Sequence, residues 1–225
     1  MNDKVAAILE INTETDFAAK NEIFLDFVDE IGRYALNVND SLSLTLEDFL
    51  NQSIGEKKIS EYFTDIIAKI GENIVLRKLS FVSKDSNSEF YSYTHNTYKP
   101  NIGKICVLLK VEIENNNENT KRFGKNLCMH IAASMPLALD IDKLDLSLIE
   151  KERDVQLATI KSSGKPENII EKILEGKMKK FFSEITLLNQ PYIFDTDQDV
   201  RKVILDFSSN NIFNIMNYEL FVLGS

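Results

Sequence analysis

Two stretches of this chain begin alike. Val5 to Asn12 and Ile105 to Glu114 (ICVLLKVEIE) each run four or more apolar residues, then a charge, then alternation. Short apolar runs of this kind read as buried strands, although for the first a buried helical turn stays open on periodicity alone. A polar cluster follows each, Thr13-Glu14-Thr15-Asp16 in one case and the Asn-rich 115–119 in the other. Residues at helical spacing come next. Phe24, Phe27, Val28, Ile31 and Ala35 form one apolar face, and Phe123, Leu127, Ile131 and Ala132 form the second. This recurrence, offset by about 100 residues and in pattern rather than identity, constrains the fold more than any single motif.

Between the two halves the pattern predicts a short helix over 45–50 and a longer one over 59–70, with Gly71 as its C-cap. Residues 74–82 and 89–98 read as strands, with a polar turn between them. The second strand leads to a loop closed by Pro100-Asn101, with His95 in a loop-like Tyr93-Thr94-His95-Asn96. The helix from Lys121 ends or kinks at Pro136. A helical hairpin follows over 146–182, with its turn at Ser162 to Pro166, Gly164 as C-cap and Pro166 at the first turn of the second arm. Ile170, Leu174, Met178, Phe181 and Ile185 give that arm a narrow apolar stripe, which pairs two helices within one chain or between two. An apolar stretch to Phe194, a helix over 199–207 and a strand over 213–223 complete the chain.

Composition removes several classes of function. The 225 residues carry 26 Lys and Arg against 35 Asp and Glu, a net charge of −9. That balance argues against a nucleic-acid footprint and against docking on an anionic membrane. Every apolar run is interrupted well before about 18 residues, so no segment is expected to span a bilayer. No signal-peptide pattern opens the chain. Two cysteines, Cys106 and Cys128, and two histidines, His95 and His130, exclude a disulfide scaffold and a Cys- or His-rich metal site. Glycine-rich phosphate loops and a Ser nucleophile elbow are missing, so neither a cofactor nor covalent catalysis is expected.

The remaining candidates each have a plain structural reading. Glu14 and Asp16 stand at the i, i+2 spacing of an acid–base pair, but no further ligands accompany them, and helix capping is the preferred reading. Thr13 and Asp16 fit a capping-box start. Phe17 either packs on the core or projects, and a projecting aromatic beside a carboxylate makes an interface anchor. His130 reads as a packed helix histidine, Cys106 and Cys128 as small buried hydrophobes, and Lys177, Lys179 and Lys180 as a solvated helix face.

Several segments taken together are similar to one family. They are Leu9-Glu10-Ile11-Asn12 with Thr15-Asp16-Phe17-Ala18-Ala19-Lys20-Asn21, then Ile70-Gly71-Glu72-Asn73-Ile74, Tyr93-Thr94-His95, and His130 to Pro136. Ser163-Gly164-Lys165-Pro166, Glu175 to Phe181 and Leu188-Asn189-Gln190-Pro191-Tyr192 follow. In that order, across 5–222, the series resembles elongation factor Ts. The resemblance implies guanine-nucleotide exchange on elongation factor Tu, in its GDP-bound and nucleotide-free forms. Thr15, Asp16 and Phe17 would form the wedge that enters near the partner's magnesium site. His95 would act on the phosphate-loop side, and the hairpin would be a protruding coiled coil.

The chain departs from the family in three places. It starts after the usual N-terminal three-helix module, it carries Pro100-Asn101-Ile102-Gly103-Lys104 in place of an Arg-Ile-Gly pattern, and it stops at Leu223-Gly224-Ser225. The expected fold is α+β, with two similar subdomains of small antiparallel sheets packed with helices, plus the antiparallel hairpin. The expected division is 1–100 and 101–225. The expected function is nucleotide exchange without bond-making chemistry, without metal or cofactor, in the bacterial cytoplasm or an organelle matrix. A docking module with weak exchange is the alternative, and a carboxylate hydrolase using Glu14 and Asp16 is the third class. A homodimer through the hairpin stripe stays open.

Overall fold

The computed structural model describes residues 1–38, 44–163, 166–209 and 212–225. They form two compact units, residues 1–132 with 214–225, and residues 133–213. The architecture is α+β, with small antiparallel sheets and helices.

In the first unit, β1 (Val5–Thr13) leads into the single turn α1 (Asp16–Ala19) and then α2 (Glu22–Ala35). Next come α3 (Leu46–Asn51), the two-residue strands β2 (Ser53–Ile54) and β3 (Lys57–Lys58), and α4 (Ile59–Ile70). Strands β4 (Ile74–Ser83), β5 (Ser88–Lys99) and β6 (Ile102–Ile113) precede α5 (Glu118–Ser134). β1 pairs antiparallel with β4, from Val5 opposite Ser83 to Thr13 opposite Ile74. The expected apolar faces of α2 and α4 cover this pair. Phe24, Phe27, Ile31, Phe49, Phe63 and Ile66 pack on Ile11, Ile74 and Leu76. Gly71 closes α4 with φ 81°, the left-handed conformation that favours glycine. Thr45 caps α3 in a reciprocal box with Asp48, which fixes where the short helix starts.

A bulge interrupts the β1–β4 ladder. Glu10 lies opposite Lys78, but Ile11 lies opposite Leu76, so Arg77 is the extra residue. Two cations therefore approach one carboxylate. Glu10 is 3% exposed, and its oxygens lie 3.5 Å from Arg77 Nη1 and 3.3 Å from Lys78 Nζ.

The second sheet runs in the order β5-β6-β9, where β9 spans Phe213–Val222. β5 and β6 form a long hairpin, with Asn101 at φ 65° in its turn. Phe90 and Leu108 on one face meet Ala6 and Val82 of the first sheet. On the other face Tyr91 meets α5 so closely that a Cβ on Gly124 would lie 2.2 Å from its ring. His130 and Cys128 on α5 are fully buried. Cys106 on β6 is half-buried, with its thiol 3.8 Å from the Thr94 hydroxyl, and so is less enclosed than its apolar neighbours suggested.

In the second unit, α6 (Leu146–Ser162) and α7 (Glu167–Ile185) lie side by side. Ile160, Leu174 and Met178 are buried between them, flanked by Leu157, Ile170 and Phe181. The expected stripe is thus used within the chain, and Lys177 donates to Gln156 across the pair at 2.7 Å. The C-cap expected at Gly164 lies outside the described residues. The stretch before Phe194, read only as apolar, leads into a small hairpin of β7 (Pro191–Tyr192) and β8 (Asp195–Asp199), followed by α8 (Val200–Phe207). Asp140 holds the loops of this unit. It accepts from Asn189 Nδ2 at 3.0 Å and from Arg201 Nη2 at 2.6 Å.

Candidate functional site

At the end of β1 the chain must turn into α1, and four polar residues make the corner. The structure places the cap on Thr15 rather than on Thr13 or Asp16. The Thr15 hydroxyl accepts from Ala18 N at 3.2 Å, while the Thr13 hydroxyl donates to the Thr15 carbonyl at 3.0 Å. An Asp16 cap would place the start one residue late, because Asp16 is already the first helical residue. The reciprocal acceptor of a capping box would sit on Ala18, which has none to give. That role passes to Glu72, at the junction of α4 and β4. Its Oε1 accepts from the Thr15 hydroxyl at 2.7 Å and its Oε2 from the Thr15 N–H at 3.1 Å.

The next residue is also held from outside. Lys104 on β6 donates to Asp16 Oδ1 at 3.0 Å. That hydrogen bond, and the charge behind it, hold the Asp16 carboxyl below its ordinary range and push the Lys104 ammonium up. Glu14 is exposed and stands outside this network of side chains.

Phe17 projects. Ala18 and Ala19 are 5% and 7% exposed, whereas Phe17 is 89% exposed. α1 therefore tucks its two small residues inward and leaves its one large apolar side chain in solvent. Covering a Phe side chain supplies about 1.5–3 kcal/mol, so leaving it bare forgoes that stabilisation in this chain. A cavity of about 470 Å³ adjoins the corner, with Glu10, Thr15, Asp16, Tyr98 and Lys104 among its walls.

His95 lies on β5, not in a loop. The β5–β6 ladder continues past it to Thr97 opposite Gly103. Its ring is exposed, with Nδ1 3.0 Å from the Tyr93 hydroxyl. His95 pairs with Ile105, the residue after Lys104. Side chains alternate along a strand, so His95 and Lys104 stand on opposite faces of the hairpin. The structure thus joins Thr15, Asp16 and Phe17 into one corner and sets His95 apart on another face of the same hairpin.

Glu72 and Lys104 are the two residues that sequence reasoning did not single out. Glu72 lies in a segment already marked as family-like and Lys104 in one marked as a departure from the family, and neither segment names its partner. The role of Glu72 follows from strand pairing: Ile74 opposite Thr13 brings Glu72 beside Thr15.

Among the described residues, no three His, Cys, Asp or Glu side chains gather closely enough to hold a metal ion, and no helix is long and apolar enough to cross a membrane.

The family model described as Elongation factor TS matches residues 14–225. The chain is 38% identical over 204 residues to elongation factor Ts of Bartonella henselae, covering 91% of this chain and 66% of that protein. It is 36% identical over 219 residues to elongation factor Ts of Gluconobacter oxydans, covering 97% and 70%. With the protein of the same name from a Ruegeria species it shares 43% identity over 193 residues, covering 86% and 62%. It therefore spans about two thirds of the length of these curated relatives.

Proposed function

This chain belongs to the elongation factor Ts family, and on that premise we propose that it promotes nucleotide exchange on elongation factor Tu. It would do so as a protein that binds a protein, with no bond made or broken by its own side chains, in the bacterial cytoplasm. The observation that carries the reading is the exposure of Phe17, at 89%, on a corner pinned by Glu72 and Lys104. Asp16 and Phe17 would enter the partner near its magnesium site. Burial of the ring, on the order of 1.5–3 kcal/mol, would then favour the conformation in which magnesium and GDP are held less well. Coupling of this kind is reciprocal: the factor weakens GDP, and GDP weakens the factor. His95, exposed on the other face of the β5–β6 hairpin, would make a separate contact on the phosphate-loop side. We further read 1–100 and 101–225 as two related halves of a core, and the α6–α7 pair as a protruding coiled coil that provides another contact.

The test is release of fluorescent GDP from elongation factor Tu. The unsubstituted chain should accelerate release, and Phe17→Ala should remove most of that acceleration. Binding without acceleration would favour the docking-module reading instead. Acceleration by both the Phe17→Ala and the Asp16→Ala chains as large as that by the unsubstituted chain would end the wedge reading.

A further inference from the structure

The corner that presents Phe17 buries only two alanines, Ala18 and Ala19, and no large side chain. α1 is four residues long, far below the length at which a helix holds itself together. Phe17, which in a core would anchor the turn, is in solvent. Beyond the burial of the two small side chains Ala18 and Ala19, what remains are hydrogen bonds, and most of those at the helix start pass through Thr15. Its hydroxyl accepts from Ala18 N, its carbonyl accepts from Ala19 N and from the Thr13 hydroxyl, and its N–H and O–H both donate to Glu72.

Glu72 is the one group in this set that belongs to a different part of the chain. It is half-buried and follows Gly71, whose left-handed turn ends α4 just before β4 begins. α4 packs into the helical layer through Ile59, Phe63 and Ile66, and β4 is laddered to β1. The carboxylate is thus mounted on a rigid junction, and its two oxygens engage the two donors of a single residue. A hydroxyl that donates to Glu72 has its free lone pair turned to Ala18 N, so Glu72 also orients the helix cap.

We propose that Glu72 is a positioning residue for exchange: by clamping Thr15 with both oxygens it fixes the direction in which Phe17 leaves the surface. This rests on the reading of Phe17 as the inserting group. The clamp itself is a property of the free protein and is measurable without the partner. A carboxylate is required because both contacts need an acceptor, and a carboxamide offers only one oxygen.

The sequence contains no Trp, so Phe17→Trp installs a single reporter at the tip. In that background, time-resolved fluorescence anisotropy reads how widely the indole swings. Glu72→Gln and Thr15→Val should each enlarge the fast component, while Thr15→Ser, which keeps both donors, should leave it unchanged. A melting curve for each variant checks that the fold is retained. With Phe17 intact, Glu72→Gln should slow factor-stimulated GDP release by about 5-fold, the factor equivalent to one net hydrogen bond. Combined with Phe17→Ala, it should cause no further loss.

The same swing amplitude in all four reporter variants would overturn the clamp, whatever exchange does. Equal added losses from Glu72→Gln with and without Phe17 would overturn its action through Phe17. If Phe17→Ala alone leaves release unchanged, the wedge reading falls, and the anisotropy result still decides whether Glu72 clamps the corner.

Discussion

Phenylalanines occupy two opposite situations in the first unit. On the helical face over β1 and β4, Phe24, Phe27, Phe49 and Phe63 are 4%, 7%, 0% and 6% exposed. Phe27 and Phe63 meet edge to face with centroids 4.9 Å apart. Seven residues before Phe24, Phe17 is 89% exposed. The side chain is the same, so the surroundings decide. Three of the core phenylalanines stand on the long helices α2 and α4 and Phe49 on the short α3, each on a helix face that has a sheet to cover. Phe17 follows Thr15-Asp16 and precedes two alanines, and those alanines take the inward positions. What holds each ring differs accordingly: dispersion and burial in one place, and in the other a frame of charge-assisted hydrogen bonds, accepted by Glu72 and donated by Lys104.

The contrast breaks first on stability. Phe49→Ala should cost about 3–5 kcal/mol in chemical denaturation, as expected for emptying a core site. Phe17→Ala should stay within about 0.5 kcal/mol of the unsubstituted protein. Its effect should fall on exchange, with a loss of about 10- to 100-fold, corresponding to the apolar burial no longer gained on the partner. A Phe17→Ala chain that melted as early as Phe49→Ala would mean that the ring packs in solution and that the two regions are alike.

Gly124 sharpens the comparison from the packed side. Its missing Cβ is the space that the Tyr91 ring fills, and Tyr91 in turn donates from its hydroxyl to Asn116 Oδ1 at 3.0 Å. Gly124→Ala improves helix propensity by nearly 1 kcal/mol and still should destabilise by about 1–3 kcal/mol, because overpacking outweighs propensity. Urea titration reads the sign directly. A stabilised Gly124→Ala variant would show that α5 can slide on the sheet, which would leave the packed regions less rigid than the exposed corner.

Much of the frame was legible in the sequence. α2, α4, β4, β6 and the α6–α7 pair follow from apolar periodicity, and Gly71 from its place after an apolar helix. The short strands β2, β3, β7 and β8 were not, since two residues carry no period and the five of β8 are all polar, with no alternation to read. The Thr15-Asp16-Phe17 segment was legible as a motif, but its choice between packing and projecting was not. That choice depends on Ala18 and Ala19 meeting a surface built from β1. Placing His95 in a loop failed for a related reason. Thr94, His95 and Asn96 are polar, as in a loop, yet an edge hairpin strand exposes such residues without leaving the ladder. Glu72 and Lys104 were hidden because each acts on a residue far away in sequence, 57 positions in the first case and 88 in the second.

The smallest expected effect concerns the two carboxylates on either side of the cavity, Glu10 and Asp16. Both titrate below their ordinary values, for different reasons. Burial by itself pushes the Glu10 carboxyl up, but the Gly224 N–H, Lys78 and Asn12 outweigh it and the net direction is down. Asp16 is lowered chiefly by its hydrogen bond from Lys104, in the open. A carboxyl lowered in the folded state contributes stability that is fully present above its unfolded value and is lost as pH falls through its folded one. For Glu10 that loss begins below its ordinary 4.5. Glu10→Gln should therefore weaken the protein at pH 7, and its deficit relative to the unsubstituted chain should shrink as pH is lowered below that value. Asp16→Asn, at an exposed pair, should give a nearly parallel pair of curves. Denaturation midpoints across pH 3 to 7 make the comparison. If the Glu10→Gln deficit held constant over that range, the buried carboxylate would contribute only through shape. The bulge that turns Arg77 and Lys78 toward it would then need a reason other than charge.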